Sequence, residues 1–274
     1  MRIAVRSDVD GNVRALEAVL GDVAGQSVDI TVNLGDLLSG GLQPRETGDL
    51  LLALALPTVR GNHERQLLTV PRERMSAADR LAHDTIIDVH RAWLASLPLT
   101  LEVADGVLAF HGSPTNDLTY LLETVEEVGA HPANVSEVLD RLGDQADRPM
   151  LLCGHTHLQR AMRLPTGATV VNPGNVGWPA YADEKPHPHV MEAGTPHARY
   201  AAVDDDTGQW KVVFRKVTYD WEHAAGVAES NSRSDIARAL RTASFNPLRV
   251  PLSVTQKPAR RSKRRRPPRD PSAR

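Results

Sequence analysis

Eight residues of this 274-residue chain have the types and spacing to do chemistry together: Asp8, Asp10, Asp36, Asn62, His63, His111, His155 and His157. Each follows a short stretch that reads as a strand, the stretches being 3–5, 30–34, 58–60, 107–110 and 150–153, and most lie next to a glycine. Taken singly they have ordinary roles. Asp8 and Asp10 could be a helix cap and a solvated acid, Asp36 another cap, Asn62 a left-handed turn, and His111 a core histidine with its hydrogen bonds met. Five runs in succession ending in donor side chains are not explained by five unrelated roles. Two carboxylates as close as Asp8 and Asp10 repel each other and resist ionisation unless a cation lies between them. Oxygen and nitrogen donors, with one carboxylate that can bridge, are what two divalent ions about 3.5–4 Å apart require. Glycine beside them lets the backbone come close.

The elements that must position these residues are short. Side chains two apart share a strand face, so Asp8 and Asp10 are expected to point the same way before the first strand has turned. Gly11 then turns the chain, and Asn12 caps a helix starting near Val13, whose Ala15, Leu16, Val19, Leu20 and Val23 share one side. A strand over 30–34, a helix over 44–56 closed by Pro57, and a strand over 58–60 continue the pattern. Strand, helix, strand, helix, strand is the grammar of a parallel sheet, which binds ligands at the carboxyl ends of its strands. Residues 65–98 read as helical, with His83 and His90 on one face, exposed or packed rather than ligating, and with Trp93 and Leu97 packing on the sheet. Strands over 99–103 and 107–110 form a hairpin about Asp105-Gly106. A polar helical region follows, with a clear helix over 135–142, then strands over 150–153 and 168–171. Residues 178–198 read as a long loop, 200–203 and 210–217 as an antiparallel pair about Asp206-Thr207-Gly208, and 234–243 as a last helix. Cys153 is expected to pack in the core. Trp178 and Tyr181 either flank the substrate or merely pack, and His187, His189 and His197 belong to a solvated loop.

Composition excludes some classes. The longest apolar run, 50–56, is seven residues, far short of a membrane span. One cysteine cannot form an internal disulfide, and no apolar targeting segment precedes the first strand, so the expectation is a protein of the reducing cytoplasm. The net charge of −2 hides an asymmetry: residues 257–274 carry +8, and the rest of the chain carries −10. The expected organisation is one domain over residues 1–245 and a basic, Pro/Arg-rich disordered tail over 246–274. That tail could contact nucleic acid or another anionic surface weakly, fold back on the acidic domain, or have no specific partner.

The order of the motifs resembles the calcineurin-like metallophosphoesterase superfamily. The residues that carry the likeness are Asp8-Val9-Asp10, Gly35-Asp36, Gly61-Asn62-His63-Glu64, His111-Gly112 and Gly154-His155-Thr156-His157. The opening Ser7-Asp8-Val9-Asp10-Gly11-Asn12, the His111-Gly112-Ser113-Pro114 stretch and Asn172-Pro173-Gly174-Asn175-Val176-Gly177 resemble its small bacterial and archaeal phosphodiesterase branch, over residues 1–220 or so. The resemblance implies an α/β fold, a four-layer α/β sandwich of two mixed β-sheets flanked by helices. It implies a metal-dependent phosphoester hydrolase, most simply a phosphodiesterase, that attacks phosphorus with a metal-bridging hydroxide.

Carried across residue by residue, the likeness implies that Asp8, Asp10, Asp36 and His157 hold one ion. Asn62, His111 and His155, with Asp36 bridging, hold the other. His63 is left free to stabilise the transition state or protonate the leaving oxygen. The departure is Asp10, where the family has histidine. Its extra charge and shorter reach tilt the expected pair of divalent ions away from zinc and toward manganese, with magnesium, iron, nickel and zinc as the other candidates. Two other functions stay open: a phosphatase for phosphoproteins or dinucleoside polyphosphates, and a catalytically weak binding or regulatory protein in which Asp10 has compromised the first ion site.

Overall fold

The computed structural model describes residues 1–205 and 209–245. In chain order its strands are β1 (Arg2–Arg6), β2 (Ile30–Asn33), β3 (Thr100–Ala104), β4 (Val107–Phe110), β5 (Glu123–Glu126), β6 (Gly129–Pro132), β7 (Met150–Leu152), β8 (Gln159–Arg163), β9 (Thr169–Pro173), β10 (Ala180–Asp183), β11 (His189–Glu192), β12 (Ala198–Asp204) and β13 (Lys211–Val217). Its α-helices are α1 (Val13–Ala24), α2 (Pro44–Leu54), α3 (Asn62–Thr69), α4 (Ala77–Thr85), α5 (Asp88–Ser96), α6 (Val135–Leu142), α7 (Trp221–Ser230) and α8 (Ser234–Thr242).

Alternation along β1 decides the layering. Ile3 and Val5 point into a core shared with Val32, Val107, Ala109, Leu152, Val171 and Val203, which lies between two sheets. Ala4 points the other way, onto a core built with Leu16 and Val19 of α1, Leu51 of α2, Leu94 of α5 and Leu240 of α8. One sheet runs β13-β12-β1-β2, the other β3-β4-β7-β9-β8, and each mixes parallel and antiparallel neighbours. The second sheet's outer face, with Phe110, Leu151 and Val170, is covered by Val138 and Leu142 of α6. Helices, sheet, sheet and helix make the four-layer α/β sandwich expected from the sequence. Among the described residues no helix is long and apolar enough to cross a membrane.

The parallel pairs β1–β2, β4–β7 and β7–β9 bring their carboxyl ends to one edge. Backbone bonds stitch the loops there: Asp8 N–H to Gly35 O at 3.0 Å, Gly154 N–H to His111 O at 2.7 Å, and Val176 N–H to Asp8 O at 3.1 Å. Asn12 caps α1 as expected, accepting from Ala15 N–H at 3.1 Å. Its amide also donates to Gly177 O and the Tyr219 hydroxyl, so the cap fastens the first loop to two later segments.

Several expectations need correction. The run 58–60 is not a full strand but a single parallel bridge, Asn33 to Thr58. Residues 65–98 are not one helical stretch but parts of α3, α4 and α5, broken where Pro71 removes a donor and where Ile86 and Ile87 turn extended. His83 and His90 therefore sit on different helices. His90 is fully buried against Asp49 at 2.9 Å, and His83 stays part-exposed. The polar region after Pro114 is the β5–β6 hairpin, and the long loop 178–198 contains the β10–β11 hairpin. Strand β8 and helix α7 have no counterpart in the sequence reading. The basic tail and the turn 206–208 lie outside the described residues.

Candidate metal centre

The loops at the shared edge hold their side chains by an unusual backbone. Asp8 (φ 56°), Asp10 (53°), Asp36 (55°), His155 (71°) and His157 (62°) are all in the left-handed region. Asp8 and Asp10 therefore do not share a strand face, contrary to the expectation from their spacing. β1 ends at Arg6, and both carboxylates reach the site from turned backbone rather than from one strand face. The crowding is close: a Cβ on Gly61 would stand 2.2 Å from Asp36 Oδ1, and one on Gly154 2.0 Å from the Ser7 hydroxyl. Only glycine fits at either position.

One group of donors gathers around Asp36. Ligand atoms of Asp36, His111 and His155 lie within 4.8 Å of one another. His111 Nε2 is 3.1 Å from Asp36 Oδ2 and 3.1 Å from Asn62 Oδ1. Its other nitrogen, Nδ1, lies 2.6 Å from Leu34 O and must donate to it, which fixes the ring and aims Nε2 at the carboxylate. The second group gathers around His157, whose Nε2 is 3.3 Å from Asp8 Oδ1 and 3.9 Å from Asp10 Oδ2. Here Nδ1 donates to Trp178 O at 2.6 Å, the same arrangement again.

The residues fit divalent ions on a direct test. Asp10 Oδ2 is buried and has no hydrogen-bond partner, and buried Asp8 Oδ1 meets only His157 Nε2 at 3.3 Å, a costly state for carboxylate oxygens that a cation removes. Their ionisation behaves accordingly. Burial, then the charges of Asp8 and Asp36, push Asp10 well above the ordinary carboxylate range, although His157 and His63 oppose this. Burial also opposes ionisation of Asp8 and Asp36, but neighbouring histidines outweigh it and hold both below that range. Burial disfavours charge on His157 and His111 too, yet the facing carboxylates raise them to about 9 and about 10. Burial and the charge of His111 bring His155 down to about 3. Ions entering the site would displace the protons of His157 and His111.

His63 lines the same cavity as Asp36 and His157, and its ring is held by Asp79. Its ring Nδ1 is 2.7 Å from Asp79 Oδ1, and its backbone N–H donates to Asp36 Oδ1 at 3.0 Å. Burial disfavours its charge, but Asp36 and Asp79 raise it well above the ordinary histidine range. Asp10, Asp36, Asn62, His63, His155 and His157 line one cavity of about 320 Å³, with Asp8 and His111 fully buried beneath. Surface hollows of about 710 and 990 Å³ lie elsewhere and hold none of the eight residues, so size is a poor guide to the chemistry here. Trp178 and Tyr181 line the same cavity, the Tyr181 ring 4.7 Å from that of His157. Cys153 is buried in the core, as expected. Of the three later histidines, His189 is not in a solvated loop: it is buried on β11 and accepts from the Tyr120 hydroxyl at 3.1 Å.

Two contributors escaped the sequence reading. Asp79 orients His63; its only sequence signal is Ser76-Ala77-Ala78-Asp79, a helix-capping pattern, and Ser76 indeed caps α4 through Asp79 N–H. Glu64 was quoted only as a motif member. Fully buried, it accepts from the N–H groups of Asp36, Leu37 and Gly61 at 2.9, 2.8 and 2.9 Å, so one carboxylate fixes the loops of Asp36 and Asn62 together. Glu64→Ala should lower stability by about 3 kcal/mol or more, since three charge-assisted bonds lose their acceptor. Urea unfolding would show this, and an unchanged midpoint would refute it.

Residues 1–192 match the family model of the calcineurin-like phosphoesterase superfamily domain. The chain is 26% identical over 246 residues to an uncharacterised protein of Methanocaldococcus jannaschii, covering 81% of this chain and 89% of that one. Among solved structures it is similar to a metallophosphoesterase from Sphaerobacter thermophilus, with a TM-score of 0.67, 24% identity, and coverage of 89% of this chain and 99% of that one. It is similar also to a hypothetical protein from Pyrococcus horikoshii OT3, with a TM-score of 0.70, 20% identity and the same coverage, 89% and 99%. At those identities the two structures speak for the fold.

Proposed function

The chain belongs to the calcineurin-like phosphoesterase superfamily and is a metal-dependent phosphoesterase; from that premise we propose that it cleaves phosphodiesters at a dinuclear centre. The observation that carries this reading is the pair of buried oxygens Asp8 Oδ1 and Asp10 Oδ2, faced only by His157 at 3.3 and 3.9 Å, beside the Asp36–Asn62–His111–His155 group. Asp8, Asp10 and His157 would hold one divalent ion, Asn62, His111 and His155 the other, and Asp36 both. Bound there, the ions supply a nucleophile from water at neutral pH and offset phosphoryl charge.

The chain's own residues do the rest. His63, held by Asp79 at 2.7 Å, carries a proton to the leaving oxygen. Leu118, Trp178 and Tyr181 give the cavity an apolar wall on which a second ester group can rest, which favours a diester over a monoester. Asp10 adds a hard oxygen donor where the family has nitrogen, which favours manganese over zinc.

The test is hydrolysis of bis(p-nitrophenyl) phosphate and p-nitrophenyl phosphate by metal-stripped protein, re-supplied singly with manganese, nickel, zinc or magnesium. The expected result is manganese-restored diester cleavage, lost about 100-fold or more in Asn62→Ala. Absence of turnover with every metal would overturn the proposal, and its reversal by Asp10→His would trace the failure to a first ion site weakened by Asp10.

A further inference from the structure

Helices α7 and α8 lie beyond residues 1–192, the part that matches the family model, and of this region it is Arg233, in the turn between them, that lines the catalytic cavity. Asn231, between them, donates to Gly41 O and Leu42 O, which fastens the pair to the segment following Asp36. Arg233 comes next. It is the only lysine or arginine among the residues lining the cavity, where the remaining charge is carboxylate and histidine. Its side chain is 12% exposed and is held on three sides. Nε and Nη2 donate to Asp235, the guanidinium carbon stands 6.0 Å from the centre of the Trp178 ring, and the backbone N–H donates to Ala228 O. Nη1 is buried and has no acceptor. A guanidinium held still in the wall of a phosphoester site, with Nη1 packed beside Gly41 and its fork held by Asp235, can exchange that carboxylate for an anionic phosphate oxygen.

We propose that Arg233 binds a second, non-scissile phosphate of the substrate, so that the preferred substrates are phosphodiesters carrying a further phosphate close to the cleaved one. This rests on the phosphodiesterase reading above and deepens it. A nucleic-acid strand and a small oligophosphate both present that chemistry. Asp235 is the resident competitor: it holds the fork of Arg233 and is displaced, or shares it, when the second phosphate arrives. Arg233 is thus a specificity residue, and Asp235 sets how firmly it grips.

The experiment compares thymidine 5′-(p-nitrophenyl phosphate) with the same ester bearing a 3′-phosphate, on manganese-loaded full-length protein. The unmodified protein should prefer the 3′-phosphorylated ester by about tenfold, through KM rather than kcat, as expected for one charge-assisted hydrogen bond. Arg233→Ala should abolish the preference, Arg233→Lys should keep part of it, and Asp235→Asn should enlarge it. A merely structural Arg233 would not give a gain in Asp235→Asn. No preference in the unmodified protein, or a preference that survives Arg233→Ala, overturns the proposal. If neither ester turns over, the catalytic reading has failed, and calorimetric binding of thymidine 3′,5′-bisphosphate decides this one separately: about tenfold weaker binding in Arg233→Ala sustains it, equal binding overturns it. Competition by a short DNA strand and by tripolyphosphate then identifies which source of the second phosphate fits.

Discussion

Asp36→Ala is expected to lower the proposed phosphodiester turnover by about 10³-fold and to cost the protein both proposed ions. Asp36 Oδ2 faces His111 at 3.1 Å, and Oδ1 accepts the His63 backbone N–H at 3.0 Å. It also belongs to the only group of three His, Cys, Asp or Glu donors within mutual reach among the described residues. Removing it takes the shared donor from both proposed ion positions and leaves His111 facing an empty space in the core. If the ions contribute roughly 4 kcal/mol to the barrier, the loss is about 10³ at 1.36 kcal/mol per tenfold. Atomic emission on the purified variant gives the ion content and the diester assay gives the rate. A variant that kept two ions and near-normal kcat would remove Asp36 from the centre.

His63→Ala separates chemistry from metal binding. Its ring meets Asp79 and not the donor groups, so the variant should keep its ions and lose about 10²- to 10³-fold in kcat. The loss should grow with the basicity of the leaving group. A p-nitrophenolate departs without a proton, whereas an alkoxide needs one, so a methyl or nucleoside ester should suffer most. The pH dependence has a defined sign. In the proposed role the acid form of His63 is the active one, so activity should fall as pH rises through its pKa. Burial lowers that pKa and Asp36 and Asp79 raise it, but bound ions would offset the charge of Asp36 and leave Asp79 as the raising partner. Asp79→Asn removes one of those charges and should move the alkaline limb to lower pH. Equal losses for good and poor leaving groups, or loss of ions from His63→Ala, would exclude the proton-donor role.

The strand ends of the site were legible in the sequence because a parallel sheet delivers its loops to one edge, and donor residues beside glycine mark those loops. Asn12 was legible because capping is local: one side chain, one N–H three residues on. What escaped reading depends on distance in the chain. Asp79 serves His63 from 16 residues away, Glu64 holds the Asp36 backbone from 28 residues away, and Arg233 reaches the cavity from the far end of the described chain. The β5–β6 and β10–β11 hairpins were missed for another reason. Both are two-stranded ribbons with charged, half-exposed faces, so neither shows the apolar alternation by which a core strand is recognised.

The left-handed backbone at Asp8, Asp10, Asp36, His155 and His157 bears on how such a centre can drift by mutation. Among side chains bearing a Cβ, that conformation is tolerated best by asparagine, aspartate and histidine. These are also oxygen and nitrogen donors for metals. The fold therefore screens substitutions before any ion does: a β-branched or bulky residue is rejected by the turn itself, and most of what survives can still coordinate. Aspartate in place of histidine at position 10 is an exchange inside that narrow alphabet. It alters the charge and reach of one donor and leaves the loop in place, which makes ion preference the property of this architecture most open to gradual change.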